Sequence, residues 1–189
     1  MMNAYGKYAQ ERNGAWKALI DSQINYLPVN VIQIARRNGI RVYRNTEEKV
    51  LKPSEAGKCA IRGDVWVIVY DNTAINEERK YTIAHELGHI FLAHNVNLLR
   101  KDEANEAAAE SFAQKLMTPL CVLKELGITD KYDIAKTCDV PLWVAEKRAA
   151  RLKEMIKRNK FYTSDLEKQV YEQFKNYIES EKERRARKL

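Results

Sequence analysis

No run in the chain approaches the roughly 18 consecutive apolar residues that a membrane span requires. Its opening, MMNAYGKYAQERNGAWK, is polar and lacks the apolar block of a secretory signal. Together these absences lead us to expect a cytoplasmic protein with no membrane partner. Cysteine is scarce: Cys59, Cys121 and Cys138 are far apart, odd in number, and form no CxxC pair. That argues against a disulfide framework and a cysteine-based zinc site, and leaves the three as small, half-buried apolar residues. Internal repeats and low-complexity segments are absent too.

What is present suits one real core with room for a small appendage: 189 residues, 45% hydrophobic and 31% charged. The net charge of +7 is concentrated at the C-terminal end, where Ala145 to Leu189 holds 14 Lys/Arg against 8 Asp/Glu. Such a segment could touch nucleic acid or an acidic partner. A solvated, charge-rich helix is the more frequent cause, so a nucleic-acid role is open but not favoured.

Local pattern divides the chain as follows. Residues 15–24 read as a helix, and LPVNVIQIARRNG as a second, with Pro28 in its first turn and Gly39 at its C-terminal cap. IRVYRN reads as a strand, followed by a polar loop. Cys59–Arg62 and Val65–Tyr70 flank Gly63-Asp64, a two-residue hairpin turn. Asn76 is placed to cap the next helix, with Glu77 and Glu78 in its first turn. An alanine-rich helix follows, stopped at Thr118-Pro119, then a short helix over Leu120–Leu126 closed by Gly127. ITDKYDIAKTCDVPLWVAEKRAARLKEMIKRN has the form helix, short turn, helix. Ser164 and Glu167 make a capping-box pattern for a last helix with an apolar stripe of Leu166, Val170, Phe174, Tyr177 and Ile178. The stripe could dock on the body or on a partner chain. The tail EKERRARKL is expected to fray.

All three histidines of the chain fall within YTIAHELGHIFLAH, residues 81–94. On a helix, His89 lies about 40° from His85 and Glu86 about 100° from it, while Ile83, Ala84, Leu87, Ile90 and Phe91 cluster opposite. Imidazoles at i and i+4 can reach one ion without bending the helix. Glu86 is turned too far to ligate, but it can lie beside a water on that ion as a general base. Two histidines and a carboxylate suit zinc best, although Mn or Fe could fill the same ligands. His94, extrapolated along the same helix, turns away from the ion and reads as a packing or capping residue. A third ligand is needed, and Asp102, Glu103, Glu106 and Glu110 are candidates. Glu106 is preferred, because Ala107, Ala108 and Ala109 beside it allow close helix approach. Glu110, one turn on, could accept a hydrogen bond from a ligand histidine's other nitrogen.

RKYTIAHELGHIFLAH, then ExxAE at Glu106–Glu110, then FAQKLMTP at 112–119, resembles the ImmA/IrrE family of metallo-endopeptidases. The likeness covers about residues 15–155. It implies His85, His89 and Glu106 as zinc ligands and Glu86 as general base. Position 110 is commonly Asn or Asp in the family and is Glu here. The resemblance implies a zincin-like metallopeptidase core with a small antiparallel sheet (1–119); the spacing beyond it reads as a helical, helix-turn-helix-like region (120–160), followed, outside the likeness, by a C-terminal helix with a basic tail (161–189), so the expected fold class is α+β. It also implies a protein substrate, a helix-turn-helix repressor, often of a mobile genetic element or stress regulon. If Val65–Tyr70 lay at a sheet edge, the substrate could pair with it as an added strand. The alternative is a DNA-binding or partner-binding regulator with a structural or inactive metal site. For that reading Arg148, Arg151, Lys153, Lys157 and Arg158 would have to face a DNA groove.

Overall fold

The computed structural model describes residues 4–94 and 102–187, with side chains from Ala9 onward. Helix α1 (Ala4–Asp21) begins before the expected span and ends three residues sooner. Helix α2 (Val31–Arg37) starts after Pro28, because the Asn30 side chain accepts from the Gln33 backbone N–H (2.9 Å) and fixes the first turn there. Gly39 follows in the left-handed region, φ +69°, as its capping role requires. After β1 (Arg41–Arg44) comes a single helical turn, α3 (Asn45–Glu48), where only a loop was expected. Strands β2 (Gly57–Arg62) and β3 (Val65–Tyr70) form the hairpin, with Gly63 at φ +62° in its turn.

The sheet order is β1-β3-β2. β2 pairs with β3 antiparallel, but β1 pairs with β3 parallel, so the sheet is mixed and not wholly antiparallel. The segment between β1 and β3 contains α3 and all of β2, more than the dozen or so residues that a parallel crossover needs. β3 is therefore central and paired on both sides, so of the two arrangements left open for it the free edge is not the one found: the edges of the described sheet are β1 and β2.

Helix α4 (Asn76–Phe91) leaves the sheet through a short loop, and α5 (Glu103–Met117) packs along it. The connection at 95–101 lies outside the described residues. Asn76 does not cap α4. It is the first helical residue, and its side chain donates to Asp139 instead (3.0 Å). Helices α6 (Leu120–Glu125), α7 (Lys131–Cys138), α8 (Leu142–Lys157) and α9 (Asp165–Ala186) complete the chain. The turn between α7 and α8 is held to α4, because Asp139 takes both Asn76 and the Lys80 ammonium.

One buried cluster includes residues from α1 to α9, among them Leu19, Ile68, Leu87, Phe112, Leu152 and Phe174. The α9 stripe docks on the body: Val170, Phe174 and Ile178 are buried, and Gln173 donates to the Leu19 and Ile24 carbonyls (2.9 and 2.6 Å). Ser164 caps α9 as expected, accepting from Glu167 N–H, while the Glu167 carboxylate reaches back to the N–H of Thr163. The expected fraying is also corrected. α9 stays helical through Ala186, secured by the Arg185 guanidinium donating to the Leu126 carbonyl (3.0 Å); Lys188 and Leu189 lie outside the described residues. Among the described residues, no helix is long and apolar enough to cross a membrane.

Candidate metal centre

α4 is buried on both of its faces. Ile83, Ala84 and Leu87 enter the core, but Tyr81, Glu86, Gly88 and His89 are buried as well. The sheet and α5 cover the polar face, so it is no solvated surface. Two glycines allow this close approach. A Cβ on Gly88, between the two motif histidines, would lie 3.0 Å from both the Cα and the carbonyl oxygen of Ala109. A Cβ on Gly57, at the start of β2, would lie 2.4 Å from Thr82 Cγ2. Ala109 is where close helix approach was expected. Neither glycine was singled out from the sequence, since their partners lie on other elements.

His85, His89 and Glu106 come together. The two Nε2 atoms are 3.1 Å apart, and they lie 3.3 and 3.5 Å from the Glu106 carboxylate oxygens. A cation about 2.0–2.1 Å from each of three donors in tetrahedral arrangement needs donors about 3.3–3.4 Å apart. The Nε2 pair and each histidine's nearer Glu106 oxygen are close to that spacing, although the two histidines meet different oxygens, and with one ligand atom from each residue within 4.8 Å of the others the donors together could hold a divalent metal. Side-chain exposures of 20%, 11% and 32% for His85, His89 and Glu106 place the group at a partly open surface, with access for a further ligand.

The other acids have separate tasks. Asp102 caps α5, accepting from the N–H of Ala104 and Asn105. Glu103 is exposed in the first turn. The Glu110 carboxylate is taken by Lys147 Nζ (2.7 Å) and Gln114 Nε2 (2.8 Å), and not by a ligand histidine as the sequence suggested. Glu86 is buried beside the ligands. Burial first, then the Glu86 charge, pushes the Cys59 thiol of β2 far above its ordinary range.

The partner of the His89 back nitrogen is His94, whose Nδ1 lies 3.0 Å from His89 Nδ1. This corrects the reading of His94 as turned away. α4 ends at Phe91, and Ala93 adopts φ +54°, so the chain folds back instead of continuing at 100° per residue.

The family model of the IrrE N-terminal-like domain, Peptidase M78, matches residues 35–150, more than half of the chain. The chain belongs to this family. It is a metallopeptidase of the IrrE/ImmA type, and its family implies a divalent metal and a protein substrate. Comparison with curated proteins finds no match. The matched span of this IrrE-like domain takes in the three-strand sheet, the motif helix, α5 and most of the α7–α8 unit. It includes every residue of the candidate centre.

Proposed function

We propose that the chain is a zinc-dependent endopeptidase that cleaves a regulatory protein, a helix-turn-helix transcriptional repressor. The observation that carries the catalytic part is the convergence of His85, His89 and Glu106, whose ligand atoms lie within 4.8 Å of one another, with Glu86, the residue after His85, buried. His85, His89 and Glu106 hold the ion. A zinc ion bound there supplies Lewis acidity to a water and to the substrate carbonyl. Glu86 takes the proton from the attacking water and passes it to the leaving amide nitrogen. Its burial keeps it close and shields the transfer from bulk solvent. β2, an edge of the described sheet, packs against α4, so an extended substrate segment can add to it beside the site.

The repressor as substrate rests on the likeness of the motifs. The rival DNA-binding reading loses one of its supports. Arg148 is buried, donating to the Thr118 hydroxyl (2.8 Å) and carbonyl (3.0 Å), and cannot enter a groove. The test is incubation of the chain with the product of a neighbouring repressor gene, read by intact mass. Two new fragments should appear, vanish with chelator, and vanish in Glu86→Gln although that variant keeps its metal. Cleavage by Glu86→Gln at the wild-type rate would end the proposed mechanism.

A further inference from the structure

A half-open cavity of about 650 Å³ is lined by residues of α1, α5, α6, α8 and the start of α9. Its volume is typical of small-molecule sites. Neither Glu86 nor the metal-ligand candidates line it. Its lining holds seven Lys or Arg side chains and a single carboxylate, Glu167. Carboxylates outside the lining offset some of these cations: Glu11 on Lys115 (3.5 Å), Glu110 on Lys147 (2.7 Å), and Glu154 on Arg151 (2.6 Å) and Arg158 (2.9 Å). Among the described residues, no carboxylate lies within ion-pair distance of Arg12, Arg148 or Lys160.

Arg148 is the most telling of the three. It is 8% exposed, and its two hydrogen bonds go to neutral oxygens of Thr118. A guanidinium carries five N–H donors, so most of them remain for another acceptor. A buried cation without a counter-charge is costly, and burial pulls the Arg148 pKa down to about 10 and the Lys115 pKa to about 8. Trp16, Leu120 and Met155 add an apolar part to the lining, and the Arg12 guanidinium lies 4.9 Å from the Trp16 ring centroid. A cavity that combines guanidinium and ammonium groups with an aromatic ring and apolar side chains matches a ligand with several negative charges at one end and a planar group at the other.

We propose that this cavity binds a phosphorylated small molecule of the nucleotide class, its phosphates on Arg12, Arg148 and Lys160 and its organic part against Trp16 and Met155. The proposal goes beyond the peptidase reading and needs no metal.

Isothermal titration of the full chain tests it, with ATP, pyrophosphate and adenosine as probes. Ionic strength is fixed with sodium chloride, and a chelator is present so that phosphate on a metal contributes nothing. ATP and pyrophosphate should each bind saturably, at one per chain, and adenosine far more weakly. Arg12→Gln and Lys160→Gln should each weaken ATP by about tenfold, the worth of one charged hydrogen bond, while Arg187→Gln in the tail leaves it unchanged. Arg148→Met should abolish binding, but it removes the Thr118 bonds as well, so the two rim variants carry the decision. The proposal is overturned by no saturable binding of ATP or pyrophosphate, by adenosine binding as tightly as ATP, or by equal affinity in the rim and tail variants.

Discussion

The Nδ1 atoms of His89 and His94 lie 3.0 Å apart, with the two rings edge to face at 73°. Only one proton fits between them. Because His89 turns Nε2 towards His85 and Glu106, that proton belongs on His89 Nδ1, and His94 accepts it. Burial holds the His94 pKa below the usual histidine value, which keeps its ring neutral and able to accept. A left-handed Ala93 just before His94 is the local strain that this contact requires.

His94→Ala is therefore expected to weaken metal binding by about tenfold or more, the usual loss when the partner of a ligand histidine is removed. Competition with a chromophoric chelator measures it. His94→Asn, which keeps an acceptor, should recover part of the loss. Unchanged affinity in the alanine variant would remove His94 from the account.

Gly88 sets the distance between the helix that carries both histidines and the helix that carries Glu106. Its missing Cβ would meet Ala109 backbone atoms at 3.0 Å, and backbone cannot rotate aside as a side chain can. Gly88→Ala should cost about 1–3 kcal/mol of stability from overpacking. It should also reduce the rise in melting temperature on adding zinc, because the Glu106 oxygens are moved away from both rings. A variant that melts lower yet keeps the full zinc shift would show that α4 and α5 separate without disturbing the ligands.

The thiols of Cys121 and Cys138 are buried, and burial raises each from 9.0 to about 12. In the unfolded chain both lose protons from pH 9 upward, while the native state keeps them. The unfolded state then binds fewer protons, so stability is whole below pH 9 and declines between about pH 9 and 12. Urea midpoints across this range should fall, and Cys138→Ala should flatten the slope. Thiol reagents at pH 8 should label neither residue until the chain unfolds.

Much of the centre was legible because its geometry is local. The i, i+4 spacing of His85 and His89 fixes their common face whatever the tertiary structure. Glu106 is preferred for the alanines beside it, and Ala109 is indeed where α4 meets α5, while Asp102 caps α5. The illegible parts depend on contacts between distant segments. Lys147, 37 residues on, claims Glu110. β1 pairs with β3 in parallel, which a hairpin pattern does not reveal, and so β3 loses its free edge. The Leu126 carbonyl holds Arg185 and the tail that looked frayed. His94 was misplaced for a different reason: helical extrapolation ran past Phe91, where the helix had already ended.

The central claim is that His85, His89 and Glu106 jointly hold one divalent ion. The most direct measurement is zinc content by elemental mass spectrometry, after loading and desalting, of the wild type and Glu106→Ala. The account predicts one zinc per wild-type chain and a small fraction of that in the variant, with both folded by circular dichroism. Equal zinc in the two proteins, or none in the wild type, would contradict it.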